Sequence, residues 1–185
     1  MKIPTNKVVP HVLTYPRSGM HFFDDTLYEI ENIHFTKSHF LDEVFDKNNN
    51  KQRTIITIAR DPRDSIYSYL AIHETRKVLN DEFLITQMRT NYVFMYAFLC
   101  ENADYVVDFN DLVTYPESVI KKILSLVNID KGQYNLFNRD KIEKHEKYIP
   151  SSKSLEHYIN IVLDSYDLDL CYYYYHKLLE KKIII

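Results

Sequence analysis

Glycine is almost missing from this chain of 185 residues: Gly19 and Gly132 are the only two. Two glycines so far apart exclude the G-x-G-x-x-G dinucleotide fingerprint, the G-x-S-x-G nucleophile elbow and the complete Walker A loop. Cysteine is as scarce. Cys100 and Cys171 stand far apart, build no zinc cluster by themselves and do not suggest a disulfide scaffold. No apolar run reaches the ~18 residues of a membrane span, and Met1 to Lys7 is polar, without the apolar stretch of a secretion signal. The reducing cytoplasm is therefore the default compartment. A basic excess is lacking too: 26 acidic residues face 23 Lys and Arg, for a net charge of −3. That excludes a generally basic nucleic-acid coat but permits a local anion site. Tryptophan is absent and tyrosine abundant, at 16, a bias that carries no functional signal by itself.

What is present is enough for one core. At 45% hydrophobic, a chain of this length buries about 70% of its unfolded surface and needs no metal or disulfide staple. Neither repeats nor a linker stand out, so a single domain is expected over 1–185, with a motif-bearing core at 8–130 and a helical part at 131–185. Val8 to Leu13 reads as a short strand, Thr14 to Gly19 as a tight loop, and Met20 to Ile30 as a helix. Ile33 to Thr36 reads as a second short strand. Thr54 to Ala59 is apolar on both faces, the texture of a central parallel strand covered on two sides. Asp61 is placed to cap a helix that opens at Pro62 and runs to about Val78. Phe83 to Leu99 is helical, Tyr105 to Phe109 a strand, and Pro116 starts a helix ending at Asn128 to Gly132. Asn138 to Ser154 is charged and irregular, the segment expected to move most. Leu155 to Leu163 and Leu168 to Leu179 read as helices. This alternation predicts an α/β fold with a mainly parallel sheet of about four strands between helical layers.

Three clusters carry candidate chemistry. In Thr14-Tyr15-Pro16-Arg17-Ser18-Gly19 a glycine at a helix start lets backbone approach an anion, and Arg17 adds a forked cation. An ordinary strand-to-helix turn would look the same. Arg60-Asp61-Pro62-Arg63-Asp64 follows the clearest strand, and ligands of parallel sheets gather outside the carboxyl ends of strands. Arg60 is thus placed to bind an oxyanion, with Ser68 two helical turns on as a hydroxyl donor; a capped helix with surface ion pairs is the competing reading. Lys37-Ser38-His39 also follows a short strand, which brings a lysine and a candidate general base to the same edge, although most histidines only pack or face solvent.

Together these clusters resemble a family. Residues 14–22 resemble the T-Y-P-K-S-G-T-T-W loop of cytosolic-type sulfotransferases, and residues 37–39 its K-T-H segment. Residues 57–68 resemble V-A-R-N-P-K-D-x-x-x-S. Phe109-Asn110-Asp111-Leu112, followed by Pro116-Glu117, resembles Y-E-D-L and its downstream P-E. Four blocks in order cover most of residues 8–130. The resemblance implies a three-layer P-loop-like fold and transfer of a sulfuryl group from 3′-phosphoadenosine 5′-phosphosulfate (PAPS), leaving adenosine 3′,5′-bisphosphate (PAP), without a metal. It implies that the loop of Tyr15, Pro16, Arg17, Ser18, Gly19, Met20 and His21 cradles the 5′-phosphosulfate. It implies that Arg60 and Ser68 hold the 3′-phosphate, that Phe22 replaces a tryptophan stacked on adenine, and that Phe109 lies near the nucleotide. Lys37 and His39 match the catalytic lysine and histidine.

The departures are specific. Arg17 stands for a lysine, and arginine is a poor proton donor. Met20 and His21 replace two threonines. The later R-K-G segment is not visible; Arg139, Lys141 and Lys153 are its candidate substitutes. The chain is also much shorter than the cytosolic enzymes. The expected acceptor is a small molecule or carbohydrate bearing a hydroxyl, or an amine, with no nucleic-acid or membrane partner. An inactive nucleotide- or anion-binding protein of the same fold is the alternative, and a P-loop kinase a weaker one. His73-Glu74 and His145-Glu146 lack the second histidine of H-E-x-x-H. Asp24-Asp25 suits a helix dipole better than acid catalysis. Packing best accounts for Tyr172 to Tyr175. Ile183-Ile184-Ile185 is expected to dock on the body or on a second copy in a homodimer.

Overall fold

The architecture follows from one alternation of side chains. In the computed structural model, which describes residues 10–16, 19, 36–39, 54–75, 82–127, 156–157, 160 and 167–184, strand β3 (Ile55–Ala59) is buried along its whole length. Its Ile55 and Ala59 join one apolar cluster and its Ile56 and Ile58 another. Successive residues of a strand point to opposite faces, so both faces must be covered. Strand β1 (His11–Leu13) divides in the same way, with Leu13 in the first cluster and Val12 in the second. Strand β4 (Tyr105–Asp108) sends Val106 to the first and Val107 to the second.

The helices supply the covers. On the first face lie α1 (Pro62–Thr75), α2 (Glu82–Asn102) and α5 (Asp167–Leu179), which contribute Ile66, Leu70, Tyr92, Tyr96, Leu99, Cys171 and Leu178. On the second lie the short α3 (Phe109–Thr114) and α4 (Pro116–Leu126), contributing Leu112, Val119, Ile120, Ile123 and Leu124. The result is an α/β sandwich of three layers. Asp61 caps α1 as its position suggests: Oδ1 accepts from the backbone N–H groups of Arg63 and Asp64 at 2.9 and 3.2 Å.

With β2 (Thr36–Ser38) the sheet has the order β2-β1-β3-β4, and every pairing is parallel. Several boundaries differ from the sequence-based expectation, α2 running on to Asn102 and α4 ending at Leu126 among them, and two of them bear on the rim. β2 runs through Lys37 and Ser38, which pair with Val12 and Leu13; its extent is set by the three residues β1 offers for pairing, so only His39 lies past its end. Phe109 leaves the fourth strand because Asp108 turns the chain into α3, its Oδ1 accepting from the Asn110 N–H at 2.9 Å. Residues 182–183 continue the sheet beyond β4: Lys182 bridges to Val106, and the Ile183 N–H donates to the Val106 carbonyl at 2.9 Å. The predicted helix at 20–30, the charged stretch at 138–154 and most of the helix predicted at 155–163 lie outside the described residues. Among the described residues no helix is long and apolar enough to cross a membrane.

Candidate functional site

Because all four strands run the same way, whatever follows each of them lands on one rim of the sheet. Thr14 to Pro16, and Gly19 beyond them, follow β1, His39 follows β2, Arg60 follows β3 and Phe109 follows β4. The central strands β1 and β3 are neighbours, and the chain leaves β1 toward β2 on one side and reaches β4 on the other. This reversal makes the carboxyl ends of β1 and β3 the topological switch point of the sheet, the place where parallel sheets hold ligands.

Arg60 continues the alternation of Ile56 and Ile58 and leaves on their face. Its guanidinium carbon lies 4.4 Å from the centroid of the Phe109 ring, a cation–π geometry. Gly19 meets the same ring. Its φ is +100°, and a Cβ at this position would sit 2.8 and 2.9 Å from two Phe109 ring carbons and 3.8 Å from Ile58 Cγ2. Glycine is required here twice over, for a left-handed backbone and for the close approach. One buried aromatic ring thus backs the glycine loop and seats the Arg60 cation.

His39 is fixed at the same rim. Its Nδ1 lies 2.9 Å from the Thr14 carbonyl oxygen. A carbonyl can only accept, so Nδ1 carries the proton, and the basic lone pair of the neutral ring is at Nε2. Thr14 is itself immobilised: it is fully buried and its hydroxyl donates to the Ile58 carbonyl at 2.8 Å, joining the ends of β1 and β3.

The other expected site residues fall in different places. Ser68 is half-buried on α1. The Tyr15 side chain is 2% exposed and packs in the core, 4.8 Å from the ring of Tyr92 and 6.3 Å from that of Tyr69, leaving the backbone of Tyr15 to shape the loop. Pro16 is half-buried in the turn and Lys37 is inside β2. Arg17, Ser18, Met20, His21 and Phe22 lie outside the described residues, as do Arg139, Lys141 and Lys153.

Two tyrosines at the rim, Tyr92 and Tyr96, are not singled out in the sequence, and a third, Tyr172, reads there as packing. Tyr92 donates its hydroxyl to the Arg60 carbonyl at 2.9 Å, and Tyr96 accepts from the Arg60 backbone N–H at 3.0 Å. The two rings stack with centroids 4.0 Å apart. Tyr172 on α5 donates to the Asp61 carboxylate, 3.2 and 3.1 Å from its two oxygens. Burial, followed by the Asp61 carboxylate, pushes the Tyr172 phenol up to about 12. The only signal available in sequence was the spacing of Tyr92 and Tyr96 by one helical turn, which reads equally as core packing.

No protein-family model and no curated protein matches the sequence. Among solved structures, the fold is similar to that of mouse sulfotransferase SULT7A1 complexed with PAP. The TM-score is 0.53 at 15% identity, over 91% of this chain and 76% of that one. The chain therefore has a sulfotransferase-like fold.

Two outcomes test the rim. Gly19→Ala should lose about 1–3 kcal/mol of stability in urea titration, the scale of a strained backbone position, and should shift the Phe109 ring resonances. The Tyr172 phenol ionises near 12 in the folded chain against 10.0 for a free phenol. Its contribution is therefore complete below about pH 10 and lost as pH rises toward about 12. Tyr172→Phe should be less stable than the parent at neutral pH and should show a shallower decline across that alkaline window, measured by urea midpoints.

Proposed function

We propose that the protein is a PAPS-dependent sulfotransferase acting on a hydroxyl, or an amine, of a small molecule or carbohydrate. The observation that most supports this reading is the Arg60 guanidinium lying over the Phe109 ring that also backs Gly19. That arrangement brings a forked cation and a glycine turn against one aromatic ring, which suits a nucleotide with an anionic group at each end. The similarity in fold to a sulfotransferase complexed with PAP points the same way.

In this reading Arg60, with Ser68, binds the 3′-phosphate. The Gly19 loop and Arg17 bind the 5′-phosphosulfate, and Phe22 stacks on adenine beside Phe109. When bound, the donor supplies a sulfuryl group whose bond to the bridging phosphate oxygen breaks as a bond to the acceptor oxygen forms, releasing PAP. His39 takes the acceptor's proton at Nε2, because Nδ1 is committed to the Thr14 carbonyl. Lys37 and Arg17 stabilise the charge that develops on the sulfuryl and bridging oxygens. Catalysis then rests on positioning and electrostatics, as in phosphoryl transfer. We place the reaction in the cytoplasm.

PAP should raise the melting temperature in the absence of magnesium. His39→Ala should abolish sulfuryl transfer while preserving that thermal shift. Unchanged turnover in His39→Ala would overturn the base assignment, and equal protection by ATP with magnesium would favour a kinase. Binding of PAP without transfer to any member of a broad acceptor panel would identify a non-catalytic binder.

A further inference from the structure

Arg60 occupies an awkward place in the chain. The last pairing of β3 with β4 is Ala59 with Asp108, and α1 opens two residues later at Pro62. The peptide groups on either side of the Arg60 α-carbon therefore lie between the sheet ladder and the helix. A half-buried peptide group left unpaired costs about 1–3 kcal/mol, and a segment free to choose its partners would aim its side chain in many directions. Here both groups are met by side chains from one helix. Tyr96 accepts from the N–H at 3.0 Å and Tyr92 donates to the carbonyl at 2.9 Å. Both tyrosine rings are themselves immobile: each is fully buried, and they stack on one another, with Tyr15 against Tyr92. The backbone is gripped from the α2 side, while the guanidinium rests on Phe109 in the cluster on the opposite face.

We propose that Tyr92 and Tyr96 are positioning residues that aim Arg60, and that they thereby set the selectivity for a nucleotide carrying a 3′-phosphate over one without it. This rests on the reading of Arg60 as the 3′-phosphate cation. The two hydroxyls bond to the backbone of Arg60 rather than to its guanidinium. They act by fixing the φ and ψ of Arg60, so that the fork is already oriented when the phosphate arrives and little ordering cost falls on binding.

The test compares two ligands that differ only in that phosphate, PAP and adenosine 5′-monophosphate, titrated calorimetrically against Tyr96→Phe and Tyr92→Phe/Tyr96→Phe. Phenylalanine keeps the stacked rings and removes only the hydroxyls; the single variant carries the same test if the double variant does not fold. The expected result is PAP affinity about tenfold weaker, the scale of one hydrogen bond, with adenosine 5′-monophosphate affinity unchanged. In an Arg60→Ala background the tyrosine substitutions should add no further loss of PAP affinity, because the residue they aim is gone. Equal loss for both ligands, or no loss for either, would overturn the positioning role and leave the tyrosines as packing. A parent protein that binds PAP no better than adenosine 5′-monophosphate would overturn the assignment of Arg60 itself, and the proposal with it.

Discussion

The end of β3 is the point on which the site depends. A parallel strand covered on both faces must hand its chain to a helix without leaving peptide groups unpaired in a half-buried rim. Two stacked phenols meet the Arg60 peptide, and Asp61 caps the helix that follows. Tyr172 steadies that cap from α5. Three helices of one layer thus converge on two consecutive residues, and the arginine side chain is delivered to the opposite layer. The cation is placed by the way the sheet ends, as much as by its own contacts.

The same rim explains how a fold survives with little sequence identity. At 15% identity to a sulfotransferase of similar fold, most core positions need only be apolar and of suitable volume. Few positions are constrained more tightly. Gly19 is one, because its left-handed backbone and the Phe109 ring leave no space for a side chain. Thr14 is another, because one residue both ties β1 to β3 and holds the His39 ring. Fold alone does not fix chemistry, and these rim residues carry the functional reading.

Much of this was legible in the residues. The unbroken β-forming run at Thr54 to Ala59 located the central strand, and the Asp61-Pro62 and Pro116 signals located two helix starts, because each depends on local backbone chemistry. That a glycine, a histidine and an arginine would meet at one sheet edge followed from reading the strands as parallel. The grip of Tyr92 and Tyr96 on Arg60 was not legible, since the partners are 32 and 36 residues apart and only the docking of α2 brings them together. The limits of β2 were missed for a related reason: a strand of three residues takes its extent from its neighbour's register. Phe109 looked like a strand residue until the Asp108 side chain turned the chain into a helix.

The bridge between Val106 and residues 182–183 has a consequence for how the sheet is assembled. The outer side of β4 is covered by a segment more than seventy positions downstream, whose Lys182 ammonium also reaches the Asp108 and Asp111 carboxylates at 3.3 and 3.1 Å. During translation that strand flank therefore stays bare until Ile183 has left the ribosome. A nascent chain short of that point would expose an adhesive flank of the kind that recruits other chains or a chaperone, and the emergence of residues 182–183 is what lets that flank be covered.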